Sequence, residues 1–291
     1  MFKGTGTALV TPFDKNGNVD EEALRRLVRF QEDNGADILI PCGSTGESAM
    51  LSHEEQIRVI SVVIDEAKKA KVLAGAGSNC TAEAVMLSKK AEDMGADGIL
   101  SISPYYVKPT QEGIYRHYEA IEAAIDCPII MYNVPGRTGS NMTVDTILRL
   151  AELPGIAGIK EASGIMSQIQ NIILNRPKDF TVLSGDDALT MPLMSLGADG
   201  VISVASNCCP GLVSEMVLNA AAGRFDIARS INAKLLPLFT VMFCESNPIP
   251  IKYVMGRLGY GTGDPRLPLT PLSDAGRAVV DPVLRSLALI E

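Results

Sequence analysis

The sequence predicts a closed (β/α)8 barrel followed by a helical extension, and three observations carry that prediction. A phrase recurs: Asn34-Gly35-Ala36-Asp37-Ile38-Leu39-Ile40, Met94-Gly95-Ala96-Asp97-Gly98-Ile99-Leu100 and Leu196-Gly197-Ala198-Asp199-Gly200-Val201-Ile202. Each ends an amphipathic helix on a glycine, where a left-handed cap is cheapest, and then opens an apolar strand. Those strands do not alternate polar with apolar residues, so both faces are buried, as in parallel sheets covered by helices. Eight such units over about 225 residues match the ~250 residues that this barrel takes. A doubly wound open sheet usually has fewer strands and a glycine fingerprint after the first, which is missing here.

The elements follow in order. Strands are expected near residues 7–10, 37–41, 72–76, 98–101, 129–132, 156–160, 181–184 and 200–204. Helical periodicity fills 21–34, 81–94, 111–124, 144–151, 165–174 and 188–196. Ser52-His53-Glu54-Glu55 reads as a capping box that opens a helix reaching residue 70. From about residue 212 the chain reads as consecutive helices. Pro237 and Pro282 fall inside two of them, and each is expected to kink or break its helix. The expected division is a barrel over 1–224 and a helical extension over 225–291. No linker rich in glycine and serine separates them, so the extension is not expected to fold alone.

Bulk properties narrow the function. Of 291 residues 46% are apolar, which argues against disorder. The net charge of −8 is spread along the chain, so the basic stripe that nucleic acid requires is absent. No apolar run approaches the ~20 residues of a membrane span, and Met1-Phe2-Lys3-Gly4-Thr5-Gly6 holds no signal core. The six cysteines (Cys42, Cys80, Cys127, Cys208, Cys209 and Cys244) form no C-x-x-C pair and read as reduced thiols of a cytoplasmic protein. With only His53 and His117 present, a Ser-His-Asp triad or a polyhistidine zinc site has almost nothing to draw on. No metal is expected.

In such a barrel the chemistry sits at the C-terminal ends of the strands. Strand six ends in Lys160 and strand five in Tyr132, which project from the same end if the strands are neighbours. A lysine becomes a nucleophile when desolvation and cationic neighbours bring its pKa from about 10.4 to about 7–8, and an adjacent phenol can pass protons. Alone, Lys160 reads at least as well as a salt-bridged strand end. Strand two ends in Gly43-Ser44-Thr45-Gly46-Glu47, a turn that could also receive an anion. It lacks the close of a P-loop. Beyond strand five, Arg137 stands at the rim, where its planar fork suits a carboxylate or a surface ion pair. Strand four leads into Ser103-Pro104-Tyr105-Tyr106, strand seven into Ser184-Gly185-Asp186-Asp187, and strand eight carries Ile202-Ser203. Gly259, Gly261 and Gly263 follow no strand and read as a loop.

Several of these motifs, in this order, resemble the pyruvate-dependent class I aldolase family of (β/α)8 barrels. They are Gly43-Ser44-Thr45-Gly46-Glu47, Ser103-Pro104-Tyr105-Tyr106, Tyr132-Asn133-Val134-Pro135-Gly136-Arg137-Thr138, Gly158-Ile159-Lys160-Glu161-Ala162, Leu183-Ser184-Gly185-Asp186-Asp187-Ala188 and Asn247-Pro248-Ile249-Pro250-Ile251-Lys252. The resemblance covers the whole chain and is strongest to the branch that condenses pyruvate with L-aspartate 4-semialdehyde. It implies Lys160 as the Schiff-base residue and Tyr132 as proton carrier. Ser44 and Tyr106 would extend a hydroxyl relay, with Tyr106 serving a partner subunit. It implies Thr45, Ile202 and Gly185 around pyruvate and Arg137 on the semialdehyde carboxylate. It further implies no cofactor, a homotetramer built from two dimers, and, in some members, inhibitory L-lysine at Ser48, Ala49, His53, Asn79, Glu83 and Tyr105. Gln56 departs from the histidine of one bacterial form. Ser44 departs from the commoner threonine and matches the Gly-Ser-Thr-Gly-Glu form of N-acetylneuraminate lyase. That enzyme, or a 2-keto-3-deoxy sugar acid aldolase, is therefore the rival reading, and Arg137 argues against it.

Overall fold

The computed structural model describes residues 2–291. The chain runs β1 (Gly4–Ala8), α1 (Glu21–Asp33), β2 (Ile38–Ile40), α2 (His53–Glu66), β3 (Lys71–Gly75), α3 (Thr81–Asp93), β4 (Gly98–Ile102), α4 (Gln111–Glu122) and β5 (Ile129–Asn133). It continues through α5 (Pro135–Thr138), α6 (Val144–Leu150), β6 (Ile156–Glu161), α7 (Met166–Asn175), β7 (Thr181–Ser184), α8 (Thr190–Ser195) and β8 (Gly200–Ser203). Four helices follow: α9 (Pro210–Ala221), α10 (Phe225–Val241), α11 (Ile249–Arg257) and α12 (Asp274–Ser286). The strands form one closed parallel barrel in sequence order. Closure pairs β8 with β1 from Gly4↔Gly200 to Thr7↔Ser203.

The unalternating strands are buried on both sides because two cores meet there. Inside the barrel, Ile38, Ile40, Leu73, Leu100, Ile130, Leu183 and Ile202 pack on one another. Outside it, residues such as Leu39, Ile99, Met131, Ile159 and Val182 pack against the helices. Phe2 fills the N-terminal end of the barrel as part of the inner cluster. Gly98 leaves room for it, since a Cβ there would lie 2.7 Å from Phe2 Cζ.

Three local expectations are corrected. The first strand starts at Gly4, ahead of residue 7, because Gly4 N donates to Asp199 O and Thr5 N to the Asp37 carboxylate. α2 stops at Glu66 instead of 70: Glu32 Oε1 accepts from the amides of Lys68, Lys69 and Ala70 at 2.8–2.9 Å and draws the chain out of the helix. The capping box at Ser52 and Glu55 forms as its sequence requires. α10 and α12 run unbroken through Pro237 and Pro282. Each proline and the residue four before it, Ala233 or Ala278, is exposed, so the carbonyl that loses its partner meets water. The opposite faces (Leu235, Leu238 and Phe239 on α10, Val280 and Leu284 on α12) stay packed and hold the helices together.

Candidate active site

Residues next to one another on adjacent parallel strands share a face, and β5 and β6 pair Tyr132 directly with Lys160. Both are 6% exposed, and the lysine Nζ lies 4.4 Å from the centroid of the phenol ring. Burial brings the Lys160 ammonium down to about 7. The Asp187 carboxylate resists that fall and the Arg137 guanidinium reinforces it. A large fraction of this amine is therefore neutral, and nucleophilic, near neutral pH. The same burial pushes the Tyr132 phenol up, against the opposing pull of Arg137 and of the Ser44 hydroxyl. The phenol therefore holds its proton until a partner draws it away.

Asp187 is fixed by two amides: its Oδ2 accepts from Val204 N at 3.0 Å and Ala205 N at 3.1 Å, just past β8. Gly185 lets β7 approach the lysine. A Cβ on it would lie 2.5 Å from Ala162 Cβ and 3.2 Å from Lys160 Cε. Thr45 is buried and accepts from Asn247 Nδ2 at 3.0 Å, while Arg137 Nη2 donates to Asn247 O at 3.0 Å. Asn247 thus joins the turn after β2 to the rim arginine on α5. Ile202 sits in the inner cluster, beside Gly6 on β1.

A cleft of about 410 Å³ reaches this constellation at Tyr132, while Lys160, Thr45, Gly185 and Ile202 lie outside its lining. Ser44, Tyr132, Arg137 and Asn247 line it together with Ser48, Ala49, His53, Glu83 and Tyr105. Asn79, expected with the last five of these, is half-buried and outside the lining. Tyr106 is outside the lining of this cleft: it is 85% exposed and holds a left-handed backbone with φ 70°, rare for a bulky residue. Gln56 Nε2 donates to Ser48 O at 2.8 Å and braces that wall. Among the described residues no three histidine, cysteine, aspartate or glutamate side chains gather as a metal site, and no helix is long and apolar enough to cross a membrane.

Reading strand ends alone overlooked groups that lie far away in sequence. Lys252 on α11 is buried and pairs with the Glu47 carboxylate at 2.9 Å, with its Nζ also donating to Thr11 O at 2.6 Å. Burial lowers this lysine while Glu47 holds it up. Glu47 takes a further bond from Arg266 N at 2.8 Å. The turn after β2 is therefore anchored from beneath by the extension. The one available signal was the Asn247–Lys252 motif itself, to which strand-end logic assigns no role.

A closed parallel barrel with a desolvated lysine and a phenol at neighbouring strand ends defines the class: Schiff-base-forming aldolase-type lyases. The Dihydrodipicolinate synthetase family model matches residues 1–287, and the chain belongs to that family. It is 54% identical over 292 residues to the 4-hydroxy-tetrahydrodipicolinate synthase of Chloroherpeton thalassium, covering 100% of this chain and 97% of that one. The chloride-inhibited dihydrodipicolinate synthase of Acinetobacter baumannii, solved with pyruvate, superposes with a TM-score of 0.97 at 43% identity, over 100% of both chains. The enzyme of Cyanidioschyzon merolae, solved with lysine bound, gives a TM-score of 0.97 at 41% identity over 99% of each chain.

Proposed function

We propose that this chain condenses pyruvate with L-aspartate 4-semialdehyde to give 4-hydroxy-tetrahydrodipicolinate, the committed step toward diaminopimelate and lysine. The observation that carries the reading is the desolvated Lys160 amine facing Tyr132. Neutral Lys160 attacks the pyruvate ketone, and loss of water leaves a cationic imine. That cation draws electrons from the methyl carbon, which gives up a proton to form an enamine. The enamine carbon bonds to the semialdehyde's aldehyde carbon. The substrate's own amine then attacks the imine carbon, closes the ring and releases Lys160. Each step moves a proton, and Tyr132 with Ser44 is the carrier, completed by Tyr106 reaching across from a partner subunit. The extreme exposure of Tyr106 in the single chain supports that last assignment and the homotetramer that goes with it. Thr45, Ile202 and Gly185 surround pyruvate. Arg137 takes the semialdehyde carboxylate.

Borohydride reduction in the presence of pyruvate tests the core of this reading: the expected adduct is on the peptide holding Lys160, and an unmodified Lys160 overturns it. Turnover with L-aspartate 4-semialdehyde, set against sugar-acid aldehydes, then separates it from the rival aldolases. Within the cleft lining, Ser48, Ala49, His53, Glu83 and Tyr105 suit a free amino acid, with Glu83 on the ammonium and Tyr105 on the carboxylate. We assign them to inhibitory L-lysine. Inhibition in millimolar lysine that weakens in Glu83→Ala is expected, and full activity in lysine rejects the assignment.

A further inference from the structure

Tyr132 and Lys160 have outward-facing counterparts one residue on. β5 and β6 pair Asn133 with Glu161, and since consecutive strand residues face opposite ways, this pair lies behind the site against the helices. Both are fully buried. Asn133 Nδ2 donates to Glu161 Oε2 at 3.0 Å and to Asn141 Oδ1 at 2.8 Å, and Asn133 Oδ1 accepts from Met142 N at 3.1 Å. Asn141 Nδ2 donates to Gln168 Oε1 on α7 at 2.7 Å. Gln168 Nε2 returns toward Asn141 Oδ1 and Met142 O at 3.3 Å and Glu161 Oε2 at 3.5 Å. The other Glu161 oxygen accepts from Ser163 N at 2.7 Å.

A carboxylate can only accept in such a network, whereas each amide has one donor end and one acceptor end. Glu161 therefore fixes which way Asn133 points, Asn133 fixes Asn141, and Asn141 fixes Gln168. The segment held at both ends by these bonds, from Asn133 to Met142, carries Arg137. Its middle also receives Tyr106 N at Thr138 O, 3.1 Å away.

Resting on the function proposed above, we infer that Glu161, Asn133, Asn141 and Gln168 form a positioning hub that sets the Arg137 segment relative to the Lys160 strand end and so governs capture of the second substrate. None of the four touches the reacting atoms. The hub would not be required for pyruvate to reach Lys160, because Tyr132 and Lys160 stay paired through the strand ladder.

The test compares wild type with Glu161→Gln, whose amide must turn its donor end either on Ser163 N or on the Asn133 and Gln168 donors, and with Gln168→Ala, a half-buried site that leaves the Asn133–Glu161 bond intact. Folding is checked by circular dichroism and thermal melting. Expected for Glu161→Gln is a rise of about tenfold in KM for the semialdehyde, as for a clamp displaced by a fraction of an ångström, with KM for pyruvate and the rate of borohydride trapping within about twofold of wild type. Gln168→Ala is expected to shift KM the same way by a smaller factor, and it decides the matter if Glu161→Gln does not fold. Unchanged semialdehyde KM in the folded variants overturns the inference, and so does an equal loss of trapping and turnover, which marks general support of the fold. If wild type traps pyruvate but does not turn over the semialdehyde, the functional reading falls and this inference falls with it.

Discussion

At the scale of single residues, the site depends on one amine whose protonation is set by what surrounds it. With Lys160 near 7, the rate of imine formation is expected to rise about tenfold per pH unit below that value and to level off above it. Asp187 favours the ammonium, so Asp187→Asn should move this limb to lower pH. Arg137 disfavours it, so Arg137→Ala should move the limb to higher pH. Stopped-flow formation of the pyruvate imine reads both shifts. Arg137→Ala should also raise the semialdehyde KM by about 10–100-fold, the range for losing a charged hydrogen-bonding partner. The same amine leaves a mark on stability. Its folded pKa is lowered from 10.5, so between about 7 and 10.5 the unfolded chain holds the proton and the folded chain does not. Folding therefore releases a proton in that window, and this group's contribution to stability increases as pH rises through it. Melting curves of wild type and Lys160→Met across that range should diverge in this sense. Parallel curves would mean that the lysine titrates normally.

At the scale of elements, the strands were legible because doubly buried parallel strands leave a distinct trace, apolar and unalternating, after a glycine-capped helix. Seven strands overlap that trace, whereas β1, Gly4-Thr5-Gly6-Thr7-Ala8, carries little of it and begins three residues before the expected start. Lys160 and Tyr132 were singled out because strand ends are where a barrel presents chemistry. What stayed hidden was set by partners distant in sequence. Nothing near residue 66 announces that Glu32 will end α2, and nothing around Pro237 says whether its lost bond will face water. Likewise Glu47 reads as the end of a glycine turn until α11 brings Lys252 to it. That pair yields a prediction of its own. Lys252→Ala strands a buried carboxylate and should cost about 3–5 kcal/mol, whereas Glu47→Gln combined with Lys252→Met removes both charges and should recover most of the loss. Denaturant unfolding of the single and double variants measures the difference.

At the scale of the molecule, α11 and the segments on either side of it reach the site through Asn247, Lys252 and Arg266, each bonded to the Thr45–Glu47 turn or to Arg137. We propose accordingly that residues 225–291 are a structural part of the barrel unit despite following it in sequence. A chain truncated after residue 224 is expected to be insoluble or to lack pyruvate trapping, and a soluble, trapping-competent truncation would reject this. Sedimentation velocity of wild type and Tyr106→Ala addresses the assembly, with a tetramer expected for the first.

The inner cluster fills the cylinder and Phe2 stoppers its far end, so no route to Lys160 runs along the barrel axis from below. In the proposed reaction, keto acid, expelled water and aldehyde all pass on the side where the strands end.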